Sequence, residues 1–101
     1  MTLDRVNLSE KQLVPFCQQH HIRKLSCFGS VLRNDFRPDS DVDVLVEFEN
    51  GHAPGLIGMA GMEIELAHLV GRKVDLNTPQ FFSGPLRDRV LSEAEVLYAA
   101  R

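Results

Sequence analysis

The stretch Asp41-Val42-Asp43-Val44-Leu45-Val46-Glu47-Phe48 limits the folds open to this chain more than any other. Apolar residues recur there with period two. Val42, Val44, Val46 and Phe48 therefore share one face of an extended strand, and Asp41 and Asp43 share the other. A strand of this kind needs a core on one side and leaves two carboxylates on the other. It is a scaffold with a working face.

The rest of the chain supplies partners for that strand. Ser9 followed by Gln12 makes a capping-box pattern, with Leu13, Phe16 and Cys17 at helical spacing behind it, which predicts a helix from about Ser9 to His20. Pro15 lies inside and predicts a kink or a restart. Ile22 to Phe28 reads as a strand ended by Gly29-Ser30. After the loop Asn50–Gly55, the residues Leu56, Met59, Met62, Leu66, Leu69 and Val70 recur at three- and four-residue intervals, predicting an amphipathic helix that stops at Gly71. Arg72 to Leu76 reads as a short strand with Val74 and Leu76 on one side and Asp75 on the other. Past the break at Ser83-Gly84-Pro85, apolar residues from Leu86 to Tyr98 predict at least one C-terminal helix. The order α-β-β-α-β-α defines an α+β fold, a small mixed sheet backed by helices, with residues 1–101 as a single domain.

Composition narrows the function. Eleven basic and 14 acidic residues are dispersed along the chain and leave a formal charge of −3, without the basic footprint that general nucleic-acid binding requires. Apolar runs are far shorter than the ~20 residues that cross a bilayer, so no membrane association is expected. Two cysteines, Cys17 and Cys27, form no disulfide framework and fit a reducing cytoplasm. At this size, docking against a partner is favoured.

The spacing that carries chemistry is Gly29-Ser30, ten intervening residues, then Asp41-X-Asp43. Glycine allows a tight turn and close approach of the backbone to a ligand. Ser30 supplies a hydroxyl and a cap for a short helix over Val31–Asn34, whose free N–H groups would cradle phosphate oxygens. Two carboxylates one residue apart on a strand lie about 7 Å apart along the backbone and converge on hard cations, with Mg²⁺ the natural occupant. Asp75 is placed to serve as a general base or a further metal ligand.

These residues, Phe28-Gly29-Ser30-Val31-Leu32-Arg33 and Pro38-Asp39-Ser40-Asp41-Val42-Asp43-Val44-Leu45-Val46-Glu47-Phe48, resemble the signature of the minimal nucleotidyltransferases, within the DNA polymerase β-like superfamily. Gly71-Arg72-Lys73-Val74-Asp75-Leu76 and Val96-Leu97-Tyr98 extend the resemblance over nearly the whole chain. It implies that Gly29 and Ser30, with Arg33 beside them, contact the triphosphate of ATP. It also implies that Asp41 and Asp43 bind metal, two Mg²⁺ ions in all, and that Asp75 is the third carboxylate. Members of this length are frequently antitoxins paired with a HEPN-domain toxin, and some transfer AMP to a tyrosine of that toxin, so the resemblance implies a hetero-oligomer. The loop differs from the commoner Gly-Ser-X-Ala-Arg-Gly pattern by having Leu32 and Asn34.

Arg33 and Arg37 either steer the triphosphate or pair with Asp35 and Asp39. His20, His21, His52 and His68 show no metal-ligand spacing, and Glu63 and Glu65 are expected to face solvent or a partner. Two alternatives stand beside the enzyme. One is an antitoxin that neutralises by binding alone. The other is a small-molecule nucleotidyltransferase, for which the chain is short of a second, substrate-holding domain.

Overall fold

The computed structural model describes residues 10–29 and 41–100. Helix α1 spans Glu10–Gln19, strand β1 Ile22–Phe28, β2 Val42–Phe48, helix α2 Leu56–Val70 and β3 Val74–Asn77. A 3₁₀ turn at Pro79–Phe81 leads to helix α3, Gly84–Glu93, and strand β4, Glu95–Ala99. The strands form one sheet in the order β3-β2-β1-β4. β1 is antiparallel to β2 and β4, and β2 is parallel to β3 through the α2 crossover.

Period-two burial on β2 places Val42, Val44 and Val46 in the core, joined by Ile22, Leu25 and Cys27 from β1 and by Val74 and Leu76 from β3. Leu13, Phe16 and Cys17 of α1 and Met62, Leu66 and Val70 of α2 cover this face. Each fully buried Leu or Val contributes about 1.5–3 kcal/mol relative to exposure, so the apolar stripes of the two helices hold the layers together. Both thiols are buried, and desolvation pushes each up to about 12, with the carboxylate of Glu95 adding to the effect at Cys27.

Pro15 does not interrupt α1, contrary to the expected kink or restart: the helix runs unbroken through it. The carbonyl its ring would crowd belongs to Lys11, an exposed residue one position into the first turn, and Pro15 itself is exposed, so water can serve the freed group. α2 ends as expected at Gly71, which adopts φ +78° and donates its N–H to the Ala67 carbonyl at 2.8 Å.

The C-terminus holds more than the expected helix, since β4 adds a fourth strand after α3. Ala94 leaves the helix directly in extended conformation, with no glycine stop to mark the change. The following Glu-Val-Leu-Tyr-Ala is stabilised by pairing with β1, a partner distant in sequence.

Candidate active site

The sheet face away from α1 and α2 carries the candidate site. Phe28 pairs in register with Asp43, and Asp43 in turn with Asp75 across the parallel β2–β3 ladder. Partners in a ladder point to the same side about 4.8 Å apart, so Asp43 and Asp75 are neighbours on this face. Asp41 immediately precedes β2 and is exposed. The Val42 N–H bonds the Lys73 carbonyl at 2.9 Å and thereby ties the entry of β2 to the start of β3.

Gly29 shows why the turn after β1 excludes a side chain. Its φ is +77°, and a Cβ placed there would collide with Oδ2 of Asp43, with the carboxylate carbon 3.3 Å away. The Asp43 carboxylate lies against the glycine backbone. Gly29 therefore serves the turn and the carboxylate at once.

The sequence-derived residues divide cleanly. Gly29, Asp43 and Asp75 come together at one end of one sheet face, with Asp41 at the adjoining strand entry. Ser30, Arg33 and the expected short helix at 31–34 lie outside the described residues, as do Arg37 and its acidic neighbours Asp35 and Asp39. Among the described residues, no three His, Cys, Asp or Glu side chains form a set able to hold a metal ion. The hard oxygen donors of Asp41 and Asp43 nevertheless suit Mg²⁺, which binds through one or two carboxylates and completes its octahedron with water and phosphate.

Glu63 and Glu65 face protein rather than solvent alone, which departs from the expectation. Glu63 on α2 accepts the Leu76 N–H at 2.8 Å, satisfying a donor on the sheet's edge strand next to Asp75. Glu65 contacts His20 at 3.0 Å and links α2 to the end of α1. His21, at φ +55°, stacks on His52 with ring centroids 4.0 Å apart.

The residues that sequence reasoning missed come from α3 and its approach. Phe28, Gly29, Asp43, Phe82, Leu86, Arg89, Val90 and Glu93 line a cavity of about 400 Å³. Phe82 meets Phe28 edge to face at 5.7 Å, and Arg87 clamps the turn before α3 by donating to the carbonyls of Pro79 and Phe82 at 2.9 and 3.0 Å. Leu86, Arg89, Val90 and Glu93 share one helical face. The Ser-Gly-Pro break announces a helix, but its place over Asp43 depends on the topology.

Residues 10–97 match the family model for the nucleotidyltransferase domain. The chain belongs to the nucleotidyltransferase family. A Methanocaldococcus jannaschii protein, named as a candidate protein adenylyltransferase, is 34% identical over 88% of this chain and 94% of its own length. The protein adenylyltransferase MntA of Thermococcus cleftensis is 36% identical over 71% of each chain. Among solved structures, a candidate minimal nucleotidyltransferase is 35% identical, with a TM-score of 0.69 over 84% of this chain and 85% of that one. A toxin–antitoxin complex with AMP-PNP shares the fold at 20% identity, with a TM-score of 0.73 over 93% of this chain and 76% of that one. So does a Shewanella oneidensis complex of tri-AMPylated HEPN toxin with MNT antitoxin, at 19% identity, with a TM-score of 0.64 over 90% and 70%. This nucleotidyltransferase is thus an enzyme of the transferase class, and it shares its α+β fold with these solved structures. No helix among its described residues is long and apolar enough to cross a membrane.

Proposed function

We propose that this nucleotidyltransferase is an antitoxin that transfers AMP from ATP to a hydroxyl, a tyrosine in the first instance, of a HEPN-domain toxin and so neutralises it in a cytoplasmic hetero-oligomer. The observation that carries the reading is the Asp43–Asp75 register above Gly29, at the end of a sheet whose relatives are named protein adenylyltransferases. In the transfer, the acceptor oxygen forms a bond to the α-phosphorus, the bond from that phosphorus to the bridging oxygen breaks, and pyrophosphate departs with the electron pair. Asp75 takes the hydroxyl proton. Gly29, Ser30 and Arg33 hold the triphosphate, and Asp41 and Asp43, with Asp75 beside them, would hold Mg²⁺. Bound there, two Mg²⁺ ions would neutralise charge on the phosphates and the leaving group.

The test uses ATP labelled either on the α- or on the γ-phosphate, with the purified chain, Mg²⁺ and the HEPN-domain protein. Label from the α-position alone on the toxin supports the reading. Label from the γ-position makes the reaction a phosphorylation and rejects it.

A second reading, neutralisation by direct binding, is favoured by α2. Leu56, Ile57 and Ile64 are 84%, 91% and 62% exposed, more apolar surface than a helix packed on one side normally leaves to water. Persistent neutralisation by an Asp41→Ala/Asp43→Ala variant at equal concentration would favour it over catalysis.

A further inference from the structure

We propose that Arg89 is a phosphate ligand of the nucleotide site, held on α3 across the cavity from Asp43 and resting on Glu93 until the polyphosphate arrives. This rests on the reading of the Gly29–Asp43 end as the nucleotide site. Leu86, Arg89, Val90 and Glu93 recur at three- and four-residue intervals and turn one face of α3 toward the cavity, whose opposite wall is Gly29 and Asp43. Of the described residues lining it, Arg89 is the sole cation, set against the two carboxylates of Asp43 and Glu93. It is the described side chain of this lining whose charge suits a phosphate.

Arg89 is free to turn. Its contact with Glu93 is a single Nε–Oε1 approach of 3.3 Å between side chains that are 71% and 52% exposed. An exposed pair of this kind is weak and readily exchanged. Among the described residues the terminal guanidinium nitrogens of Arg89 make no hydrogen bond, so the paired donors that suit phosphate oxygens remain available. Phe28, Phe82 and Val90 supply the apolar part of the lining. Arg87, two residues earlier, differs in kind, since its Nε–H donates to backbone carbonyls that hold the preceding turn.

Isothermal titration of ATP with Mg²⁺ into this chain tests this, at low and moderate salt, for wild type, Arg89→Ala, Arg89→Lys and Glu93→Gln. Arg23→Ala serves as a control that removes a cation paired with Glu47 at the far end of the sheet. Loss of a charge-assisted phosphate contact predicts weakening of about 10- to 100-fold in Arg89→Ala. Arg89→Lys falls between that and wild type, Glu93→Gln binds as tightly as wild type or tighter, and the salt dependence flattens in Arg89→Ala. Melting temperatures stay within about 2 °C, because the pair is exposed. Binding by Arg89→Ala within about twofold of wild type, or an equal loss in Arg23→Ala, overturns the proposal. Wild type that binds no ATP at all removes the nucleotide-site reading itself and this inference with it.

Discussion

The two faces of β2 are built from one seven-residue strand yet answer to different physics. On the face toward α1 and α2, Val42, Val44 and Val46 are nearly inaccessible, and their identity matters through volume and burial. On the other face the residues answer to neighbours brought from afar: Asp43 to Gly29 and Asp75, and Glu47 to Arg23 at 2.9 Å. Leu45 bridges the two regimes, since it is 2% exposed although it shares the face of Asp43. The core face would thus tolerate an apolar set of the right volume, whereas the other face requires particular atoms in particular places.

The sharpest way to break this contrast is to change each face separately. Asp41→Ala/Asp43→Ala should reduce nucleotide transfer by more than about 10³-fold, in keeping with loss of preorganised transition-state stabilisation, while circular dichroism shows a folded chain. A collapse of the fold instead would mean that these carboxylates are structural. On the core face, Leu66→Ala should lower unfolding stability by about 2–5 kcal/mol in urea titration and leave the residual folded protein active. Gly29→Ala crosses the two categories. Its φ of +77° and the collision with Asp43 predict a loss of about 1–3 kcal/mol in stability, together with a transfer defect larger than that loss of folded protein explains.

Removing the Glu63 acceptor leaves the Leu76 N–H without its partner, so Glu63→Ala should cost about 1–3 kcal/mol and Glu63→Gln, which still accepts, less. Chemical denaturation of the two variants side by side reads the difference. The last effect is absent at neutral pH and concerns the thiols. Burial raises the folded pKa of Cys17 and Cys27 from 9.0 to about 12, so their contribution is fully present below pH 9 and is lost as pH rises toward 12. Urea midpoints should fall across that window, and fall less steeply in a Cys17→Ala/Cys27→Ala variant than in wild type.

What the sequence disclosed follows the same divide. Period-two and three-to-four spacing located β1 and β2 and the limits of α2 to within about a residue or two, because burial on one face imposes a period that local sequence records. Of the glycine-serine and paired-aspartate spacing, the structure describes Gly29 against Asp43 at one end of the sheet. β4 escaped because five residues entering directly from a helix carry too little pattern, and their stability comes from β1. The cavity wall of α3 and the tie from Glu63 to Leu76 escaped for a related reason. Each depends on residues 13 or more positions apart meeting in space, and no local period encodes such a meeting.

The most direct measurement is the intact mass of a HEPN-domain toxin purified after co-expression with this chain, compared between wild type and Asp41→Ala/Asp43→Ala. A gain of one or more AMP masses that disappears in the double variant is the result expected of a protein adenylyltransferase working through these carboxylates. An unmodified toxin that still co-purifies in a stable complex with wild type would contradict it and leave the chain acting by binding alone.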